Sequence, residues 1–206
     1  RYVSLKSFVR FLAVGLQLPT IGLSILLATP SPATEQPRYV GIENCKLCHM
    51  PHYESWSATK MAKAFELLRP GVRPEAKTAA GLDPQADYAS YAACLPCHVT
   101  GYGRPGGFVS VDQNPDMRNV QCEMCHGPGS VYLEMMLQKR GTYKLEDYKR
   151  VGGLSMPSAE DNVCTERCHN MNSPFIGSGF EFDFEDRKAI GTHRHDLEYI
   201  YLPFDL

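Results

Sequence analysis

Three stretches of this 206-residue chain set two cysteines and a histidine in the order Cys-x-x-Cys-His. They are Cys45-Lys46-Leu47-Cys48-His49, Cys94-Leu95-Pro96-Cys97-His98 and Cys122-Glu123-Met124-Cys125-His126. A fourth, Cys164-Thr165-Glu166-Arg167-Cys168-His169, carries one extra spacer. At the chain's own residue frequencies a single match is expected by chance about 0.01 times. The pattern is that of covalent c-type haem attachment. Two thiols add to the two vinyl groups on the porphyrin edge as thioethers, and the adjacent His lies under the iron as its proximal ligand. The thioether residues are then Cys45, Cys48, Cys94, Cys97, Cys122, Cys125, Cys164 and Cys168, and the proximal ligands His49, His98, His126 and His169. The fourth motif has to loop out its extra residue to keep the same reach between sulfurs. All eight cysteines are consumed, leaving none for a structural disulfide. Other uses fit less well. Disulfides need no His after each second Cys. Zinc sites do not require that His, and no partner pairs are left at ribbon spacing. Thioredoxin-like chemistry wants one such pair in a βαβ setting.

Four proximal ligands leave His52, His193 and His195. Four bis-His haems would need eight His, and the chain has seven. At least one iron is therefore five-coordinate or takes a different sixth ligand. Eight Met are available, and a Met opposite His raises the haem potential relative to bis-His. His52, only three residues beyond His49, ranks below the C-terminal pair. His193 and His195 flank Arg194 and are expected to point in different directions, one of them toward an iron.

The elements that must position these groups are short. Residues 34–206 give four haems about 43 residues each, too few to enclose four macrocycles in a conventional core. The expected fold is mainly α with extensive loops, the four haems themselves forming the core. Seventeen Gly and fifteen Pro, the Cys125–Gly129 turn and the Gly101–Gly107 cluster agree with that. His52 to Leu68 reads as a helix ended by Pro70, with Met61, Phe65 and Leu68 on one face. Ser130 to Arg140 reads as a second helix ending at Gly141, with Met135 and Met136 inside it.

Ahead of these lies a different segment. Arg1, Lys6 and Arg10 precede Phe11–Ala28, an uncharged stretch that would extend about 27 Å as a helix. Thr29 to Pro37 is a Pro-rich linker. Residues 1–33 are expected to be an N-terminal membrane anchor or an uncleaved signal segment, meeting the lipid bilayer through residues 8–28. Residues 34–206 are expected to be a periplasmic tetrahaem domain, since the basic end should stay cytoplasmic.

At these residues the chain resembles the tetrahaem cytochrome c-554 family, typified by the periplasmic acceptor of electrons from hydroxylamine oxidation in ammonia-oxidising bacteria. The resemblance runs from about Tyr39 to Glu198. It includes the Trp56 region, Glu66–Lys77, Leu82–Tyr88, Cys97–Gly107, Cys122–Gly129 and the Thr192–His195 ending. It implies a mostly helical fold with closely packed haem pairs. It also implies three bis-His haems and one, on the second motif, without a strong sixth ligand. Two departures stand out. Met61 occupies the position of a distal His after the first motif, and Met136 that of a distal His ten residues beyond His126. The third distal His corresponds to His193. The implied set is two His/Met haems, one bis-His haem and a haem on His98 whose sixth ligand is open.

The expected role is that of an electron-transfer protein rather than an enzyme. It would relay single electrons on the periplasmic side to or from a membrane redox complex (quinol-oxidising complex, oxidase or photosynthetic reaction centre) or a soluble periplasmic carrier. Alternatives are a quinol dehydrogenase feeding a periplasmic reductase, small-molecule (nitric oxide) chemistry at a five-coordinate second haem, and a subunit of an extracellular haem filament. A net charge of −2 gives no electrostatic case for nucleic acid.

Overall fold

A computed structural model describes residues 36–138, 146, 156–177 and 181–197. The apolar stretch 11–28, the proposed 33/34 boundary and the helix end expected at Gly141 lie outside the described residues. Among those described, the elements are short helices and 3₁₀ turns joined by loops, and the one bridge pairs Val99 with Arg118. Mainly α with extensive loops is therefore the observed class.

Each haem motif forms a helical turn: Ile42–Lys46, Leu95–His98, Cys122–His126 and Val163–Arg167. In the first, the His49 amide donates to the Cys45 carbonyl, four residues back, at 3.0 Å. The fourth motif shows how its extra residue is absorbed. Both the Cys168 amide (3.1 Å) and the His169 amide (2.7 Å) donate to the Cys164 carbonyl. The His169 bond reaches five residues back, a single π-type turn, so the bond between the histidine amide and the first cysteine carbonyl is retained.

One segment stitches three motifs together. Thr100, fully buried after the second motif, donates its hydroxyl to Asn119 O (2.7 Å) and its amide to Met117 O (2.8 Å). Gln121, just before the third motif, donates its amide to the Thr100 hydroxyl (3.1 Å) and accepts from the Ile42 amide (3.0 Å) at the start of the first. The glycine cluster makes room for this. Gly106 has φ +77°, and a Cβ there would meet the Tyr39 backbone; the Tyr39 amide donates to Pro105 O at 2.9 Å.

The single helix expected over 52–68 is not formed. A helix covers Met50–Ser57, followed by 3₁₀ turns at Met61–Lys63 and Phe65–Leu68. Tertiary partners divert the backbone groups a continuous helix would need. Met61 O accepts from the Val120 amide (3.2 Å), and Asn119 Oδ1 accepts from the Phe65 amide (2.9 Å). Trp56 Nε1 donates across to Val120 O (2.9 Å). Phe65 and Leu68 still face inward. The second expected helix runs Ser130–Gln138 as described.

The apolar cluster comprises Phe65, Leu68, Tyr88, Leu95, Val99, Phe108 and Met117. Every member lies between residues 65 and 117, around the second motif. The last helix, Phe184–Gly191, is capped by Asp183, whose carboxylate accepts from the Asp186 amide at 2.8 Å. Beyond it, the Arg194 amide donates to Ser55 Oγ (2.8 Å) and fixes the C-terminal histidines against the Met50–Ser57 helix.

Candidate haem-binding site

All eight cysteines are half-buried and none is in a disulfide. Their sulfurs meet in pairs across motifs. Cys45 and Cys122 hydrogen-bond one another, which pushes Cys45 up and Cys122 down. Cys97 and Cys168 do likewise, with Cys97 lowered to about 7 and Cys168 raised. Cys97 Sγ also lies 3.7 Å from Arg167 O, and Cys168 Sγ 4.0 Å from Pro96 O. Haem attachment would make these sulfurs thioether atoms, so their proximity, not their titration, is what would carry over. The third and fourth motifs are joined by Arg167, whose guanidinium donates to Met124 O at 2.7 Å. The motifs thus form a first–third pair and a second–fourth pair, linked through the third and fourth.

The histidine rings fit iron ligation. A haem-ligating His commonly donates one ring N–H to a carbonyl, which fixes the other nitrogen as ligand. His98 Nδ1 lies 2.6 Å from Ala64 O, leaving Nε2 for iron. His193 Nδ1 lies 2.8 Å from Arg194 O with the same consequence. Burial, followed by the nearby His52, His126 and His193, holds His49 down at about 4, so its ring is neutral at neutral pH. His98 and His169 are also lowered, first by burial. Among the described residues, no three His, Cys, Asp or Glu converge as ligands for a bare ion.

The distal candidates fall as follows. The His193 ring is stacked on that of His126, centroids 6.1 Å apart and planes 26° apart. Met136 lies on the Ser130–Gln138 helix one turn beyond Tyr132, whose hydroxyl is 3.1 Å from His49 Nε2. Met61, half-buried, opens a 3₁₀ turn three residues before Ala64, the His98 partner. His193 and His195 do not point apart: their rings are 4.5 Å from one another. The segment is neither helix nor strand, so no regular periodicity separates them. His52, ranked low on its spacing, has its ring 5.1 Å from that of His193. Sequence reasoning also passed over Tyr132 at His49 and Phe182, whose ring is 5.0 Å from that of His169. Tyr132 could have been found from its i, i+4 relation to Met136.

Residues 44–127 match the family model described as "Cytochrome c554 and c-prime". The chain is 41% identical over 112 residues to cytochrome c-554 of Nitrosomonas europaea. That match takes in 54% of this chain and 47% of the relative, about half its length. A solved structure, the reduced state of cytochrome c554 from Nitrosomonas europaea, aligns with a TM-score of 0.63 at 29% identity. It covers 77% of this chain and 86% of that one. The resemblance read from the motifs is shown by these matches.

Proposed function

We propose that this chain, a relative of the cytochromes c-554 carrying four covalently attached c-type haems, is an electron-transfer protein of the periplasmic side. Each haem when bound supplies one-electron chemistry at iron, and the chain's residues fix ligation, spacing and access. The observation that carries this reading is the His126–His193 stack. These two side chains would together hold one haem, which when bound would supply one-electron chemistry at its iron. The observed 6.1 Å and the tied Nδ1 of His193 support these two as the bis-His pair.

The Tyr132–His49 contact supports Met136, on the same helix face, as the distal ligand opposite His49. Met61 is then left for the iron on His169. The assignment is supported by its neighbour Ala64, which bonds His98, and by the contact of the second and fourth motifs through Cys97 and Cys168. His98 retains no strong distal partner in this scheme. The pairwise contacts of the motifs suit a relay between a membrane redox complex and a soluble periplasmic carrier. Attachment at the inner membrane is supported by the uncharged run 11–28 and its basic flank. Among the described residues no helix is long and apolar enough to cross a membrane.

The test uses the purified full-length protein. Its mass should exceed that of the polypeptide by four haems, and reductive titration should take up four electrons. Met136→Ala and His193→Ala should each turn one low-spin haem high-spin, at different midpoint potentials. A haem-free mass, or uptake of no electrons, would end the reading; unchanged spectra in both variants would end the ligand assignment.

A further inference from the structure

We propose that two buried charges, Lys77 beside the second motif and Glu123 inside the third, hold the second haem's reduction potential above the third's. This deepens the haem reading above and rests on it.

Lys77 is 3% exposed. Its ammonium donates to Arg69 O at 2.6 Å and lies 5.4 Å from the centre of the Tyr88 ring. Among the described residues no carboxylate pairs with it. Tyr88 belongs to the apolar cluster against which Cys94 packs, so the cation sits at the second motif. Lys77 is also near enough to Cys94 to act on it electrostatically.

Glu123, 2% exposed, is the residue after the first cysteine of the third motif. Its Oε1 accepts from the Val40 (2.9 Å) and Gly129 (2.7 Å) amides, and its Oε2 from the Gly41 amide (2.8 Å). Every one of these partners is a donor. Burial raises Glu123 above the ordinary glutamate range, and the three amides oppose that rise by favouring the anion, since a protonated carboxyl would need an acceptor for its O–H. Arg167, the cation hydrogen-bonded to this helix, is exposed, and solvent screens it.

Reduction places one electron on iron, with no bond made or broken, and lowers the charge of the site by one. A buried cation nearby therefore favours the reduced form and a buried anion the oxidised form. Arg69 and Arg118, 5.2 and 5.9 Å from the centre of the Phe65 ring, add to the positive character around the second motif. Arg69 is offset by Asp87 at 3.3 Å. Of these two haems, the second is thus the stronger electron acceptor and the third the weaker.

The experiment is a potentiometric titration of haem-loaded, full-length protein, followed by paramagnetic resonance to resolve the individual haems. Lys77→Gln should lower the second haem's electron affinity about tenfold, which is 59 mV for a one-electron couple. Glu123→Gln should raise the third haem's by a similar factor. Lys77→Arg and Glu123→Asp, which keep the charges, should move either midpoint less than threefold. Masses of the same samples count haems, so a lost cofactor is read apart from a moved potential. If Glu123→Gln does not fold, the Lys77 arm decides, with Lys77→Met as the apolar replacement. A second-haem midpoint unmoved in both Lys77→Gln and Lys77→Met overturns the proposal.

Discussion

The second and third motifs share the Cys-x-x-Cys-His frame, yet the chain treats them differently. The second sits against the apolar cluster of Phe65, Leu68, Tyr88, Leu95, Val99, Phe108 and Met117. It has protein walls of its own and a cation, Lys77, within them. The third has its histidine stacked on His193, its sulfur against Cys45, and its helix tied to Arg167. It is surrounded by the other motifs and holds an anion, Glu123. One motif is built on a protein core, and the other among the other motifs. The attachment sequence fixes how a haem is fastened. What the haem then does depends on residues outside that sequence.

The largest expected effect breaks this contrast directly. Replacing Cys122 and Cys125 together by serine removes the third haem and with it the links to the first and fourth motifs. That protein should lose one haem by mass and show no cooperative thermal transition by circular dichroism. The same exchange at Cys94 and Cys97 should also lose one haem but keep a cooperative melt, because the cluster around it is made of side chains. Equal collapse in both variants would show that the apolar cluster has no stability of its own.

The next effect is confined to the second region. Phe65 is fully buried, with Arg69 and Arg118 5.2 and 5.9 Å from its ring centre. Phe65→Ala should cost about 3–5 kcal/mol, read as a lower urea midpoint with the haem count unchanged. The stacked pair of the third region should be untouched, so the low-spin signal of the haem on His126 stays as in the parent. A change in that signal would mean that the two regions are coupled through packing as well as through cofactors.

Which parts of this were legible beforehand follows from where the information sits. That each motif forms a helical turn could be expected at once, because haem attachment would need two sulfurs and a nitrogen at fixed spacing along one turn. The fourth motif could be read too, since one extra residue fits as a five-residue backbone bond at His169. The long helix over 52–68 was misread. Its periodicity is real, but Asn119 and Val120, more than fifty residues away, take its backbone groups. Long-range polar partners leave no local signal. The same holds for His52 and for the two charges. Lys77 and Glu123 look in the sequence like ordinary surface residues, and only the fold buries them. Glu123 even stands inside a motif whose spacer positions carry no requirement of their own.

The smallest expected effect sharpens the contrast by pH. Burial pushes Glu123 above the ordinary glutamate range, while the amides of Val40, Gly129 and Gly41 pull it back without cancelling the rise. The charged or titratable groups around it are Cys45 and Cys122, which are thioethers in loaded protein, and the exposed Arg38 and Arg167. As pH is lowered from 7, Glu123 therefore takes its proton earlier than an exposed glutamate would. The anion beside the third haem is lost, and that haem's midpoint should rise, by at most 59 mV per pH unit for full one-proton coupling. Among the described residues no carboxylate pairs with Lys77, so the second haem should show a shallower slope in the same sample. Haem propionates also titrate, but on both haems, and Glu123→Gln removes only the difference between the two slopes. The gap between the second and third midpoints should thus narrow with acid in the parent and stay constant in Glu123→Gln. A gap that narrows equally in both proteins would assign the proton to the propionates and leave Glu123 as a structural clasp.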